Sequence, residues 1–306
     1  MEKYRLAQLI SSFEDRRPEA AAKRHQLLTE IRERADRRAG VFIGITGTPG
    51  AGKSTLIGAL GSRLLAKAPQ IKVAVVAIDP SSEVSGGALL GDRTRVRFPI
   101  DEERLFFRSQ ASDRQLGGMS PATFQVCRLL HYFFDIVIIE TVGIGQNEIE
   151  IQKLADRVYL ILQPLAGDQV QFLKAGIMEI PDVFVLNKSD EAEAARKSLY
   201  ALRASLQFAR PGEEDRIKVI QTSGITGLGL DELAGDILAF RSSQQDPGAR
   251  LREKEVRYLT QWVSEEYGRN GKRTLEELGG ADVFLGSQGD FDLAQKAFTE
   301  RLRQPQ

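Results

Sequence analysis

Val41-Phe-Ile-Gly-Ile-Thr46, running into Gly47-Thr-Pro-Gly50-Ala-Gly52-Lys53-Ser54, is the stretch on which the reading of this chain turns. Its second part fits the pattern G-x-x-x-x-G-K-[ST] in full. The surroundings fit as well. A short β-branched run leads in, and Ser54–Lys67 leads out with apolar residues at helical spacing. A strand, a glycine-rich turn and a helix N-terminus in that order make a cradle for phosphate. Glycines let several backbone N–H groups converge on one anion, and the helix end adds the positive end of its dipole. Gly47, Pro49, Gly50 and Ala51 form the turn, and Gly52, Lys53, Ser54 and Thr55 lead into the helix. Lys53 supplies a mobile cation for the outer phosphates, and the Ser54 hydroxyl is a ligand for Mg2+.

Outward from this loop, further strand-like runs lie at Lys72–Ile78, Asp135–Ile139, Val158–Leu162, Asp182–Leu186 and Ile217–Gln221. They are nearly continuous in apolar residues, as expected of strands covered on both faces. Helix-like segments at Pro121–Tyr132, Gln169–Glu179 and Glu191–Phe208 fall between them. The alternation predicts an α/β domain with a mostly parallel sheet flanked by helices. In front, Leu6, Leu9, Ile10 and Phe13, then Leu27, Leu28, Ile31 and Ala35, recur at helical spacing, with Pro18 opening the second helix. Residues 1–39 thus read as a helical arm, 40–241 as the sheet domain and 242–306 as a helical extension. Ser242–Gly248 reads as a linker and Gly279–Gly289 as a loop. A long amphipathic helix between them carries Leu251, Tyr258, Leu259, Trp262 and Val263, and a last helix lies near Leu293–Leu302. The face with Leu251, Tyr258, Leu259 and Trp262 is either a dimer or partner surface or packing against its own domain.

Composition narrows the functions. Of 306 residues, 42 are Lys or Arg and 42 are Asp or Glu, so the formal net charge is zero. That balance argues against a basic groove for nucleic acid and against attraction to anionic membranes. No apolar run approaches the roughly 18 residues of a membrane span, and the N-terminus does not read as a signal peptide. The expected compartment is the cytoplasm. Cys127 is the single cysteine and His25 and His131 are the two histidines, so neither an intrachain disulfide nor a cysteine/histidine metal site is expected. Cys127 and His131, four apart on a helix, read as core side chains.

A second signature follows the Asp182–Leu186 strand. Asn187-Lys188-Ser189-Asp190 has the form N-K-x-D of guanine-nucleotide proteins. The Asp190 carboxylate accepts from both the guanine N1–H and the exocyclic amine, a pair that adenine does not offer. Asn187 buttresses the loop, and the Lys188 stem can lie over the base. Thr222, Ser223 and Gly224 follow the next strand and occupy the place of a second base-contacting loop. Asp79 and Glu140 each close a strand beside the phosphate loop, where Mg2+ and its waters lie in nucleotide hydrolases. The glycine-rich, then charged stretch Gly86–Arg95 reads as a loop able to close over the triphosphate.

Together, these elements resemble the MeaB/ArgK GTPases, relatives of the human methylmalonic aciduria type A protein. The resemblance rests on the phosphate loop, Asp79–Ser82, Gly91–Arg95, Leu116–Gly118, Glu140–Gln146, Ala166–Asp168 and Asn187–Asp190 occurring in that order over about residues 5–240. It implies a P-loop NTPase of the SIMIBI class, metallochaperone type, acting on GTP with Mg2+ and releasing GDP. It further implies a homodimer that gates cofactor loading onto, and protects or reactivates, an adenosylcobalamin-dependent acyl-CoA mutase. The adenosylcobalamin belongs to that partner. In this family the acids matching Asp79, Asp92 and Glu140 serve the Mg2+ and switch network, with Gly143 in the Glu140–Gly143 element. A third switch loop near Gln163–Lys174, including Asp168, Gln171 and Lys174, relays nucleotide state to the mutase.

The chain departs from the family pattern at Leu165, Gln169, Val170, Asp113, Arg114 and Ala175, and in the tail after about residue 245. Ile144 stands where Ras-like proteins carry the water-orienting glutamine, which leaves Asp92 or Gln146 for that task. Slow intrinsic turnover, raised by the mutase, is the expectation. The competing readings are a P-loop small-molecule kinase or ATPase, a nickel-insertion GTPase, and a nucleotide-gated scaffold that scarcely hydrolyses. The Asn187–Asp190 element argues against the first, and the scarcity of cysteine and histidine against the second.

Overall fold

The computed structural model describes residues 3–15, 17, 20–34, 40–79, 102–111, 121–141, 146–164, 177–213 and 216–303. They divide into two compact units. One comprises Gly40–Ser120 and Phe134–Gln245; the other comprises Met1–Ala39, Pro121–Phe133 and Asp246–Gln306. The arm and the tail therefore belong to one unit, which also takes Pro121–Phe133 from inside the 40–241 segment.

The first unit is a parallel sheet flanked by helices. Its strands are β1 (Val41–Gly47), β2 (Val73–Asp79), β3 (Leu105–Ala111), β4 (Ile136–Thr141), β5 (Arg157–Leu162), β6 (Val183–Leu186) and β7 (Lys218–Gln221). They stand in the order β3-β2-β4-β1-β5-β6-β7, every pair parallel. Its helices include α3 (Lys53–Lys67), α5 (Gln146–Leu154), α6 (Ala192–Ala209) and α7 (Leu230–Ser243).

Side-chain alternation sends successive residues of a strand to opposite faces, and those of β5 and β6 to two cores. Ile43, Ile45, Val73, Val75, Ile136, Ile138, Ile161 and Val185 pack with Leu56, Leu60 and Leu64 of α3 and Leu233 and Ile237 of α7. Leu160, Leu162, Phe184 and Leu186 face the other way, onto Leu202 and Leu206 of α6. Both faces are covered, which is why the runs read as continuous. Each fully buried Leu or Ile contributes about 1.5–3 kcal/mol. At the opposite edge from the phosphate loop, Asp135, Asp156 and Asp182 tie strand starts together. Their carboxylates accept from the N–H groups of Lys72, Phe42 and Val158 at 2.8, 2.7 and 2.7 Å.

Strand β3 carries no clear signal in the sequence. As an edge strand it is covered less, and Arg108 and Ser109 break its apolar run. Of the expected Gln169–Glu179 helix, only Ile177–Glu179 lies within the described residues, as a single 3-10 turn.

The second unit is helical: α1 (Lys3–Glu14), α2 (Ala20–Arg34), α4 (Pro121–Leu130), α8 (Pro247–Glu277), α9 (Gly280–Gln288) and α10 (Phe291–Arg303). The Asp246 carboxylate caps α8 by accepting from Ala249 N at 2.9 Å, so only 244–246 separate α7 from α8. The Gly279–Gly289 stretch is a helix, not the loop expected. Gly279 (φ 90°) and Gly289 (φ 76°) take the left-handed caps at its two ends, Gly286 lies inside the helix, and Ala281, Phe284 and Leu285 bury one face. Tyr258 stacks on Phe124 at 4.1 Å between ring centres, and Leu251, Tyr258 and Leu259 are buried. That face of α8 packs within its own unit. Cys127 and His131 are buried core side chains, and burial pushes the Cys127 thiol up.

The centre of this unit is charged. Arg128 is fully buried and donates from Nε to Glu255 Oε1 (2.7 Å), from Nη1 to Asp292 Oδ2 (2.6 Å) and from Nη2 to Asp290 Oδ2 (2.6 Å). Arg24 of α2 joins Asp292 at 2.6 Å, and Arg32 approaches Asp290 at 3.5 Å. Burial works against the Arg128 charge, but Asp292, Glu255 and Asp290 more than offset it and hold its pKa above the ordinary arginine value.

Candidate functional site

All strands run one way, so the loops leaving their carboxyl ends share one edge of the sheet. Strand β1 lies between β4 and β5, and the phosphate loop leaves from there. Thr48-Pro49-Gly50-Ala51 is a tight turn in which Ala51 N donates to Thr48 O at 3.2 Å. Proline second and Gly50 third, with φ 81°, are the residues of a type II turn. Gly52 also has φ 81°, and a Cβ there would lie 2.8 Å from Asn187 Nδ2, so the close approach of Asn187 requires glycine. Gly52 is the N-cap of α3, and among the described residues no side chain caps that helix. Its first N–H groups are disposed to receive an anion.

Lys53 is buried, and its Nζ donates to Gly47 O at 2.8 Å and Thr48 O at 2.9 Å. The ammonium is thereby held in the mouth of the loop. Ser54 Oγ donates to Glu140 Oε1 at 2.9 Å. Register puts Glu140 beside Ile45 of β1 and Ala77 of β2, which brings its buried carboxylate to the helix start. Thr141 Oγ1 donates to Thr46 Oγ1 at 2.9 Å and pins the end of β4 to β1 just before the loop.

Asn187 joins three loops. Its Nδ2 donates to Ala51 O at 2.8 Å, while its Oδ1 accepts from Thr222 Oγ1 and from Gly224 N, both at 3.2 Å. Ser189 Oγ donates to Leu186 O at 2.7 Å and Ser189 N to Thr222 O at 2.9 Å, closing the turn from inside. Lys188 and Asp190, on either side of Ser189, are exposed. Ser223 is buried, and its Oγ accepts from Ile225 N and Thr226 N, so it shapes its own loop.

Two observations bear on a triphosphate with Mg2+. The Thr48 hydroxyl, in the loop itself, is buried without a hydrogen-bond partner, and a phosphate oxygen would satisfy it. The Ser54 and Glu140 oxygens are hard donors of the kind Mg2+ takes in small number, completing its shell with phosphate oxygens and water. The residues present fit both groups.

Lys53, Ser54, Glu140, Asn187 and Gly224 are thus brought together. Asp79 ends β2 and Gln146 begins α5, but their side chains lie outside the described residues. Asp92, Gly143, Asp168, Gln171 and Lys174 also lie outside them. The sequence singled out neither Thr46 nor Thr48 as a site residue, although Thr48 lies inside the phosphate-loop pattern, and it placed Thr222 only as the start of the second base-contacting loop. The signal for Thr46 and Thr48 was a threonine at or just past the end of the central strand β1.

Residues 6–273 match the family model described as "Methylmalonyl Co-A mutase-associated GTPase MeaB". The chain belongs to the MeaB family. It is 34% identical to the "GTPase ArgK" of Escherichia coli over 282 residues, which span 90% of this chain and 81% of that protein. It is 40% identical to a "Putative GTPase" of Pyrococcus horikoshii over 220 residues, 71% of this chain and 68% of that one. The "Methylmalonic aciduria type A homolog, mitochondrial" of Caenorhabditis elegans is 33% identical over 270 residues, 84% of this chain and 67% of the relative. Among solved structures, one titled "Crystal structure of LAO/AO transport system kinase" superposes with a TM-score of 0.61 at 25% identity, covering 99% of this chain and 94% of that one. HypB from Helicobacter pylori shares the fold, with a TM-score of 0.52 at 18% identity over 74% of this chain and 98% of its own. This MeaB-family chain is accordingly a P-loop GTPase in fold and class. Among the described residues, no helix is long and apolar enough to cross a membrane.

Proposed function

We propose that this chain hydrolyses GTP slowly and uses the nucleotide cycle to gate cofactor loading onto an adenosylcobalamin-dependent acyl-CoA mutase, and to protect or reactivate that mutase. The observation that carries the nucleotide part is the Asn187 side chain, which ties the phosphate loop at Ala51 to the loop at Thr222 and Gly224. One nucleotide would thereby be held at both ends, with phosphates on Gly47–Thr55 and guanine on Asp190. Lys53, the α3 N–H groups and Thr48 would take the phosphate charge, and Ser54 and Glu140 would hold Mg2+, with Asp79 and Asp92 completing that network. Bound Mg2+ supplies further charge neutralisation at the outer phosphates. Asp92 or Gln146 would orient the attacking water.

The mutase part is supported by the family description, which is mutase-associated, and by the methylmalonic aciduria type A relative. In this reading the chain acts as a homodimer, and Asp168, Gln171 and Lys174 meet the mutase. The test is single- and multiple-turnover GTP hydrolysis with and without methylmalonyl-CoA mutase and its relatives. Turnover should be slow alone and rise with the cognate mutase. A rate alone near the roughly ten per second that Ras-like proteins reach only with an activator would overturn the gating scheme.

A further inference from the structure

Lys188 is held in an unusual way. It is the one non-glycine among the described residues with a positive φ, at 60°, a left-handed backbone that lysine does not favour. The flanking residues impose it: Asn187 is fixed by the phosphate loop and Thr222, and Ser189 by Leu186 and Thr222. The side chain is fixed too. Its Cε lies 3.7 Å from where a Cβ on Gly52 would stand, and its Nζ donates to Gln163 Oε1 at 2.8 Å. Gln163 is placed for this by the sheet. Leu162 and Leu186 are register partners in β5 and β6, and Asn187 N donates to Leu162 O at 2.8 Å, so the chains leave the two strands side by side. The lysine stem is therefore strung from the end of β6, past Gly52, to the residue that follows β5.

We infer that Gln163 is a positioning residue for the purine subsite, fixing the Lys188 ammonium so that the lysine stem forms a pre-set floor for the base. This rests on the reading that Asp190 takes guanine. A free lysine stem would have to be ordered when the nucleotide arrives; one already anchored costs less to order, and the difference appears as affinity for the base and not for the phosphates. An accepting oxygen at this position is what the arrangement needs, so a carboxylate in place of the Gln163 amide would serve as well.

The experiment uses the full chain with Mg2+ and two probes, GDP and inorganic tripolyphosphate, in titration calorimetry. The wild-type protein is compared first with GDP and ADP, and absence of a guanine preference would remove the underlying reading itself. Given that preference, Gln163→Ala should weaken GDP roughly five- to tenfold, the exposed position keeping the effect modest. Tripolyphosphate affinity should not change, and Gln163→Glu should restore GDP binding. Lys188→Met should cost a similar factor, and Gln163→Ala with Lys188→Met no more than Lys188→Met alone. GDP affinity within twofold of wild type in Gln163→Ala, additive losses in the double variant, or an equal loss of tripolyphosphate would each overturn the inference.

Discussion

The two units bury polar groups to opposite ends. In the sheet unit the interior is apolar, and Thr46, Lys53, Glu140, Thr141, Asn187 and Thr222 gather at the carboxyl ends of the strands. There they largely hold loops: Lys53 on two carbonyls, Asn187 on the phosphate loop and the Thr222–Gly224 loop. In the helical unit the polar groups are the centre. Arg128 is enclosed by Glu255, Asp290 and Asp292, with Arg24 and Arg32 alongside. One arrangement shapes a place for a ligand on a core that is complete without it. The other is the core, and its charges are matched by partners of the same unit.

Breaking the second arrangement should therefore have the larger effect on stability. Arg128→Ala leaves buried carboxylates uncompensated and should cost about 3–5 kcal/mol. In urea unfolding followed by far-UV circular dichroism, the midpoint should fall sharply. A midpoint within error of wild type would show that this cluster does not hold the unit. Lys53→Ala should instead lose a charge-assisted phosphate contact of about 1.5–3 kcal/mol, weakening GTP roughly ten- to hundredfold in calorimetry. Its unfolding midpoint should move far less than that of Arg128→Ala, and an equal shift would erase the contrast. Asp190→Asn sharpens it further. Phosphate contacts should survive, while the preference for GTP over ATP should fall by roughly tenfold or more in a competition assay; an unchanged preference refutes the base assignment.

The smallest effect is acid sensitivity. Burial by itself would raise the Asp290 carboxyl, but Arg128, the Asp292 N–H and Arg32 outweigh it and keep the pKa below the ordinary value. A depressed folded pKa means that the stability from Asp290 is full above the unfolded value of about 3.9 and is lost as pH falls through the lower folded one. Wild-type unfolding midpoints should thus decline below about pH 4, and Asp290→Asn should flatten that decline. An equally steep decline in the variant would place the acid sensitivity elsewhere.

Legibility followed the same division. The phosphate loop, its strand and helix, and Asn187–Asp190 were readable because each answers to a local rule: glycines at positive φ, a helix N-terminus, an aspartate at a strand end. The strands β1, β2, β4, β5 and β6 were readable because they are buried almost throughout; β7, an edge strand half-buried at Lys218, Val219 and Gln221, was readable from Ile217, Val219 and Ile220 alone. The edge strand β3 escaped because Arg108, Ser109 and Gln110 cut its apolar run to Leu105–Phe107. The Gly279–Gly289 helix escaped because its terminal glycines resemble loop composition, although Ala281, Phe284 and Leu285 carried the helical spacing. Thr48, Thr222 and Gln163 fell inside segments that the sequence marked, the phosphate loop, the second base-contacting loop and the third switch loop, but their individual contacts left no local sign.

The sequence by itself determined the parallel α/β class, the phosphate cradle and the guanine-type element, since spacing and residue type within a few positions suffice for those. The tertiary structure alone decided that Glu140 meets Ser54, that Asn187 joins the loops, and that Arg128 finds its acids 127 to 164 residues away. Those pairings depend on sheet register and helix packing, which bring distant residues together and leave no mark in the local pattern of the chain.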